Sequence, residues 1–155
     1  MKITSIIFKI LPSHTAFAHC DIPCGVYDPT PLQIAAHTVL RMTQLLQEKT
    51  SAHDIARLTQ VKEKHGDLVE SELGTLENDY FKEEHHKANP ELKVLILDAV
   101  KLSIKVRQEI SLETASELLE KAMMVSEIFY KSKNVTPVRV KSLYPTGGEI
   151  VTYTA

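Results

Sequence analysis

Four stretches of this sequence carry apolar residues at the three-to-four spacing of an amphipathic helix, and together they take up most of its 155 residues. The first holds Leu32, Ala35, Ala36, Val39, Met42 and Leu46, after a Thr30-Pro31 pair that reads as an N-cap with proline at the first helical position. The second starts at Ser51 and places Ile55, Leu58, Val61, His65, Leu68, Leu76 and Tyr80 near its inner stripe, with Gly66 and Gly74 weakening it. Asn89-Pro90 opens the third, carrying Leu92, Leu95, Ile96, Ala99, Leu102 and Val106. Ser111 opens the fourth, carrying Leu112, Ala115, Leu119, Ala122, Val125 and Phe129, and Met123-Met124 reads as core filler. Each stripe has to be buried against another helix, and short links make neighbours antiparallel. The expected fold is an all-α, antiparallel four-helix bundle.

From Asn134 the period changes. Val138 to Lys141 alternates, Pro145-Thr146-Gly147-Gly148 is a turn signal, and Ile150 to Thr154 is rich in β-branched residues. This tail reads as a short hairpin or as an extended arm on a neighbouring subunit. An isolated hairpin is marginal, so it must dock or stay mobile. The length suits one domain, which buries about 70% of its unfolded surface. The composition is ordinary, so the core needs neither disulfide nor metal. A formal charge of -2, with no run of lysine or arginine, gives no support for nucleic-acid or anionic-membrane binding. No apolar run reaches membrane-spanning length.

Both cysteines lie in one short segment, His19-Cys20-Asp21-Ile22-Pro23-Cys24-Gly25-Val26-Tyr27. Ahead of it, residues 1–18 form a leader with Lys2, an apolar stretch Ile3 to Leu11, and a small-x-small ending, Ala16-Phe17-Ala18. The ending resembles a secretory signal, but Lys9 and Pro12-Ser13-His14 break the apolar region. The expectation is therefore a cytoplasmic leader removed by a processing protease, with export as the alternative. Both readings put the cut before His19, and the bland alternative is a leader that stays on. After the cut, the His19 α-amine becomes a ligand.

The amine of His19 and the amide nitrogen of Cys20 close a five-membered chelate ring around a metal. The same amide nitrogen and the Cys20 thiolate close a second. The Cys24 thiolate, returned by the Asp21-Ile22-Pro23 loop, supplies a fourth donor, and the His19 ring reaches an axial position. Planar nitrogen and sulfur donors suit Ni(II) or Cu(II), whereas zinc favours a tetrahedron and commonly a two-residue cysteine spacing. Amide and thiolate donors stabilise the higher oxidation state of nickel, so the segment reads as a one-electron redox site. The bland alternative is a small disulfide loop between Cys20 and Cys24.

This segment closely resembles the nickel hook of nickel-containing superoxide dismutases. Asp79-Tyr80-Phe81-Lys82, His85, Pro90-Glu91-Leu92 and Ile128-Phe129 extend the likeness in order, over about residues 19–133. The resemblance implies three parts: a removable leader (1–18), a hook and four-helix-bundle domain (19–133), and an added tail (134–155). It also implies a homohexamer, and a ping-pong Ni(II)/Ni(III) cycle in which one superoxide is oxidised to dioxygen and a second is reduced to hydrogen peroxide. His19, Cys20 and Cys24 are then the nickel ligands, with one Ni2+ per subunit. Tyr27 stands over the open axial face, Asp21 braces the hook, and Tyr80 positions Tyr27.

Two departures qualify the likeness. A family glutamate that holds the axial imidazole falls at Ala35, and one supporting arginine falls at His65, while Arg57 keeps a second arginine position. His65, His37 or a water then has to orient the ring, or the axial bond is weaker. The competing function is a non-catalytic nickel or copper binding protein that uses the same hook.

Overall fold

The computed structural model describes residues 24–154. The leader, His19, Cys20 and Asp21 lie outside the described residues. Helices α1 (Thr30–Glu48), α2 (Ala52–Thr75), α3 (Glu83–Ala88), α4 (Leu92–Gln108) and α5 (Leu112–Ser132) are followed by strands β1 (Thr136–Lys141) and β2 (Glu149–Thr154). The four long helices form a bundle in which α1 and α4 each pack against both α2 and α5. At its centre Leu32, Ala36 and Val39 meet Val69 and Leu73, Leu92 and Ala99, and Ala115, Leu118 and Val125, all fully buried. Each such leucine or valine contributes roughly 1.5–3 kcal/mol by leaving water. No described helix is long and apolar enough to cross a membrane.

The helix starts follow local chemistry. Ser51 Oγ accepts from the Asp54 amide and Ser111 Oγ from the Thr114 amide, the caps expected at both positions. At α1 the cap sits further back than the sequence suggested. The Thr30 amide donates to Asp28 Oδ1 at 2.7 Å, and Pro31 lies inside the first turn, where its missing N–H costs nothing.

Helix α2 is rotated from its expected stripe. Ile55 and Leu68 are exposed, while Lys62, Gly66, Val69 and Leu73 face inward. Two polar arrangements account for this rotation. Buried Lys62 donates through Nζ to the carbonyls of Val106 and Glu109, which terminate α4 and lack helical partners. Burial holds its ammonium below the ordinary lysine value. Gly66 lets α4 approach: a Cβ there would meet Arg107 Cγ at 2.7 Å, and Arg107 reaches across to Asp67 and Glu70.

Strands β1 and β2 form an antiparallel hairpin with Arg139 opposite Val151, closed by a turn whose Gly147 and Gly148 have φ of 69° and 74°. The hairpin docks on its own chain. Gln33 on α1 donates through Nε2 to the Val151 carbonyl (3.0 Å) and accepts from the Val151 amide (2.7 Å), completing the outer edge of β2 as a further strand would. His37, one turn on, meets Thr146 Oγ1 at 2.9 Å and the Glu149 carbonyl at 3.0 Å. Arg139 bridges Glu120 and Glu127 on α5.

Burial pushes the His37 imidazole below its ordinary value, and the Glu149 carbonyl, which favours the charged ring, only partly offsets this. The unfolded chain therefore binds the proton more readily. The stability His37 contributes is complete above about pH 6.5 and is lost as pH falls below that value. Urea unfolding followed from neutral pH to about pH 5 should show a falling midpoint, and His37→Gln should flatten that dependence.

Candidate metal centre

Residues 24–29 run without helix or strand into the start of α1. Gly25 turns the segment at φ 73°, a left-handed conformation that favours glycine. Cys24 is exposed, Val26 is exposed, Tyr27 is half-buried and Pro29 is buried. The segment thus carries a thiol at the surface and anchors itself three residues later through an aromatic ring.

That anchor is Tyr80. The Tyr27 and Tyr80 rings lie 5.4 Å apart at 50°, a tilted contact of the kind aromatic quadrupoles favour. Tyr80 ends a π-helical turn, Leu76–Tyr80, closed by the Phe81 amide bonding to the Leu76 carbonyl at 2.7 Å. The wider turn re-aims the end of α2 and swings Tyr80 toward the start of α1. Its hydroxyl donates to Ser132 Oγ at 2.6 Å, because Ser132 spends its own proton on the Phe129 carbonyl. Phe129 packs at 4.5 Å between centroids, and His85 stacks nearly parallel at 5.4 Å. Lys133 Nζ stands 4.7 Å from the Tyr80 ring centre. The His85 ring is itself fixed, accepting at Nδ1 from the Lys82 amide and capping α3.

Tyr27 lines two open cavities. One, of about 250 Å³, is lined by Val26, Tyr27, Asp28, Pro31, Glu72 and Leu76. The other, of about 240 Å³, lies between Tyr27, Asp28, Tyr130, Lys133 and Tyr153. A third, of about 250 Å³, separates α1 from the hairpin turn beside Ile34, Met42 and Tyr144. Its histidine, His37, has both nitrogens committed to the hairpin.

Of the site residues read from the sequence, the fold brings Tyr27 and Tyr80 into contact and holds Cys24 on the same segment as Tyr27. His19, Cys20 and Asp21 are outside the described residues. Ala35 is 3% exposed and brings no polar group. Neither histidine named as its replacement is idle: His37 is engaged by the hairpin, and His65 Nδ1 bonds to the Val61 carbonyl at 2.8 Å. Arg57 lies exposed on α2. Sequence reasoning assigned no role to Ser132 or Lys133, whose contacts arise only when the end of α5 folds beside the π-helical turn.

The donor chemistry fits a borderline-soft transition metal. Cys24 is an exposed thiol on a segment turned by glycine, and among the described residues no three histidine, cysteine or carboxylate side chains form another metal cluster. The donors named by the sequence thus all fall on the segment that ends at Tyr27.

Comparison with known proteins agrees. Residues 14–133 match the model of the nickel-containing superoxide dismutase family. The nickel superoxide dismutase of Streptomyces seoulensis is 33% identical over 122 residues, covering 79% of this chain and 93% of the relative. That of Streptomyces coelicolor is 32% identical over the same shares. A crystal structure of a nickel-containing superoxide dismutase with its nickel ligation in the oxidised state superposes with a TM-score of 0.72 at 33% identity, over 75% of this chain and 99% of the other. A structure of a nickel superoxide dismutase in its apo form superposes with a TM-score of 0.69.

The aromatic anchor is testable in the folded protein without metal. Tyr80→Phe keeps every ring contact and loses only the bond to Ser132, so urea unfolding should show a loss of about 1 kcal/mol. Tyr80→Ala removes the rings' common partner and should cost about 3 kcal/mol.

Proposed function

The chain belongs to the nickel-containing superoxide dismutase family, and on that premise we propose that His19, Cys20 and Cys24 hold its nickel ion. Its reaction is dismutation: two superoxide anions and two protons give dioxygen and hydrogen peroxide. Bound nickel supplies a one-electron redox couple, so that one superoxide gives up an electron and a second receives it. The chain's own residues do the rest.

His19 would offer its α-amine once residues 1–18 are removed by a processing protease, and its ring nitrogen would be a further donor. Cys20 contributes its amide nitrogen and thiolate. Cys24 contributes the second thiolate. Asp21 braces the loop between them. The observation that carries this reading is Tyr27, held by the Tyr80 ring at 5.4 Å on the same segment as Cys24 and bordered by open cavities. A phenol there donates a hydrogen bond to a small anion and bars larger ones, and Tyr80 keeps it in place. Solvent in the flanking cavities supplies the protons taken up by peroxide. We also place the mature chain in the cytoplasm, as a homohexamer.

Superoxide decay should be followed by stopped flow with nickel-loaded chain beginning at His19, the uncleaved chain, and the Cys24→Ser variant. Strong dismutation is expected in the first alone. Equal activity in the uncleaved chain would remove the α-amine from the ligand set. Tight nickel binding without turnover would make the protein a carrier.

A further inference from the structure

The cavity of about 250 Å³ between α1 and the hairpin turn has no part in the reaction proposed above. Its walls are Ile34, Thr38, Arg41 and Met42 from α1, with Tyr144 and Pro145 from the turn. Ile34 and Tyr144 are exposed, and the neighbouring Leu143 is 99% exposed. The walls are firmly set. The Tyr144 ring meets His37 edge-on with centroids 4.9 Å apart, and His37 bonds to the Thr146 hydroxyl and the Glu149 carbonyl. Arg41, the charged side chain of the lining, runs along α1 to Gln44 Oε1 at 3.2 Å. A leucine wholly in water beside a preformed apolar recess marks a surface that something covers.

The chain itself holds a segment of matching chemistry. Within residues 1–23, which lie outside the described residues, Ile3, Ile6, Ile7, Ile10 and Leu11 recur at the spacing of one helix face. Lys2, Ser5 and Lys9 fall opposite, and Phe8 is the one apolar residue of the stretch off that face. Such a stretch docks by laying its apolar anchors in a groove. No acidic residue lines this groove, so it offers nothing to Lys2 or Lys9, which the helical spacing leaves toward solvent. The stretch is also within reach. The link from Leu11 to Cys24 can extend about 45 Å, whereas Met42, at the far end of the groove, is about 18 Å along α1 from Thr30. A tether of this kind gives an effective concentration of about a millimolar, enough to favour even a weak apolar contact. Both partners lie outside the family match at 14–133, the apolar stretch before it and the hairpin wall after it.

We propose that the groove between α1 and the hairpin turn is the docking site for the leader's apolar stretch, Ile3 to Leu11, in the uncleaved chain. Docked there, the stretch covers Ile34, Leu143 and Tyr144. The slack of the link leaves Ala16-Phe17-Ala18 and His19 accessible to a protease. A cut before His19 ends the tether, and the leader then leaves. The docking needs no metal; its release rests on the cleavage proposed above.

Full chain carrying the photo-crosslinker benzoylphenylalanine in place of Leu11 tests the docking directly. Irradiation should give a crosslink within one chain, mapped by mass spectrometry to residues 34–42 or 143–146. Leu143→Asp alters a side chain already in water, and Ile7→Asp with Ile10→Asp alters only the leader. Each should lower the yield about tenfold. Hydrogen exchange gives a second reading. The Gly147 amide, bonded to the Tyr144 carbonyl at 3.0 Å, should exchange about tenfold more slowly in the full chain than in the chain beginning at His19. The leader substitutions should abolish that difference, and exchange in the middle of α4 should be the same throughout. Crosslinks to other residues, crosslinks only between chains, or equal exchange at Gly147 in the two lengths overturn the docking. The expected crosslink in a protein whose native amino terminus is not His19 upholds the docking and overturns the release.

Discussion

The contact between Tyr27 and Tyr80 joins an exposed segment to a rigid bundle, and the organisation of the candidate centre follows from it. A short surface segment cannot bury a core of its own, so its position is set by where it is attached. Tyr80 is a firm attachment point. It is gripped by a hydrogen bond to Ser132 and by the rings of Phe81, Phe129 and His85, and each of these belongs to a helix terminus or to the turn between α2 and α3. The π-helical turn at Leu76–Tyr80 is what brings these termini to bear on one ring.

The bundle was legible in the sequence wherever burial followed apolarity. Helices α1, α4 and α5 bury the stripes expected of them, and Ser51 and Ser111 cap as read. Helix α2 was misread because its inner face carries Lys62 and Gly66, residues that a hydrophobic pattern assigns to the surface. Lys62 is inside because α4 ends in unpaired carbonyls, and Gly66 because Arg107 has to pass. Both reasons exist only once α2 and α4 are side by side. The π-helical turn was likewise hidden, since one extra residue in a turn leaves no compositional mark. A hairpin was one of the two readings that the tail's alternation and turn allowed, and its docking on α1 depends on Gln33 and His37, polar residues buried by a partner far along the chain.

The proposed metal-binding segment rests on local chemistry instead: the His19 amine, the Cys20 amide and the two thiolates lie close together in the sequence, and His19 and Cys20 fall outside the described residues. What surrounds it is tertiary. Ser132 and Lys133 reach Tyr80 only because α5 ends beside the π-helical turn, and no residue near them in sequence announces that. The position read as a family glutamate is Ala35, buried in the core, while His37 has gone to the hairpin. Ala35 lies between Gln33 and His37, the two residues of α1 that hold the hairpin.

The central claim is that nickel is held by His19, Cys20 and Cys24 on the segment anchored by Tyr27. Nickel K-edge X-ray absorption on the chain beginning at His19 tests it most directly. The account predicts two sulfur neighbours beside nitrogen neighbours, with the sulfur contribution halved in Cys24→Ser. A spectrum with only nitrogen and oxygen neighbours, or one unchanged by Cys24→Ser, would contradict it.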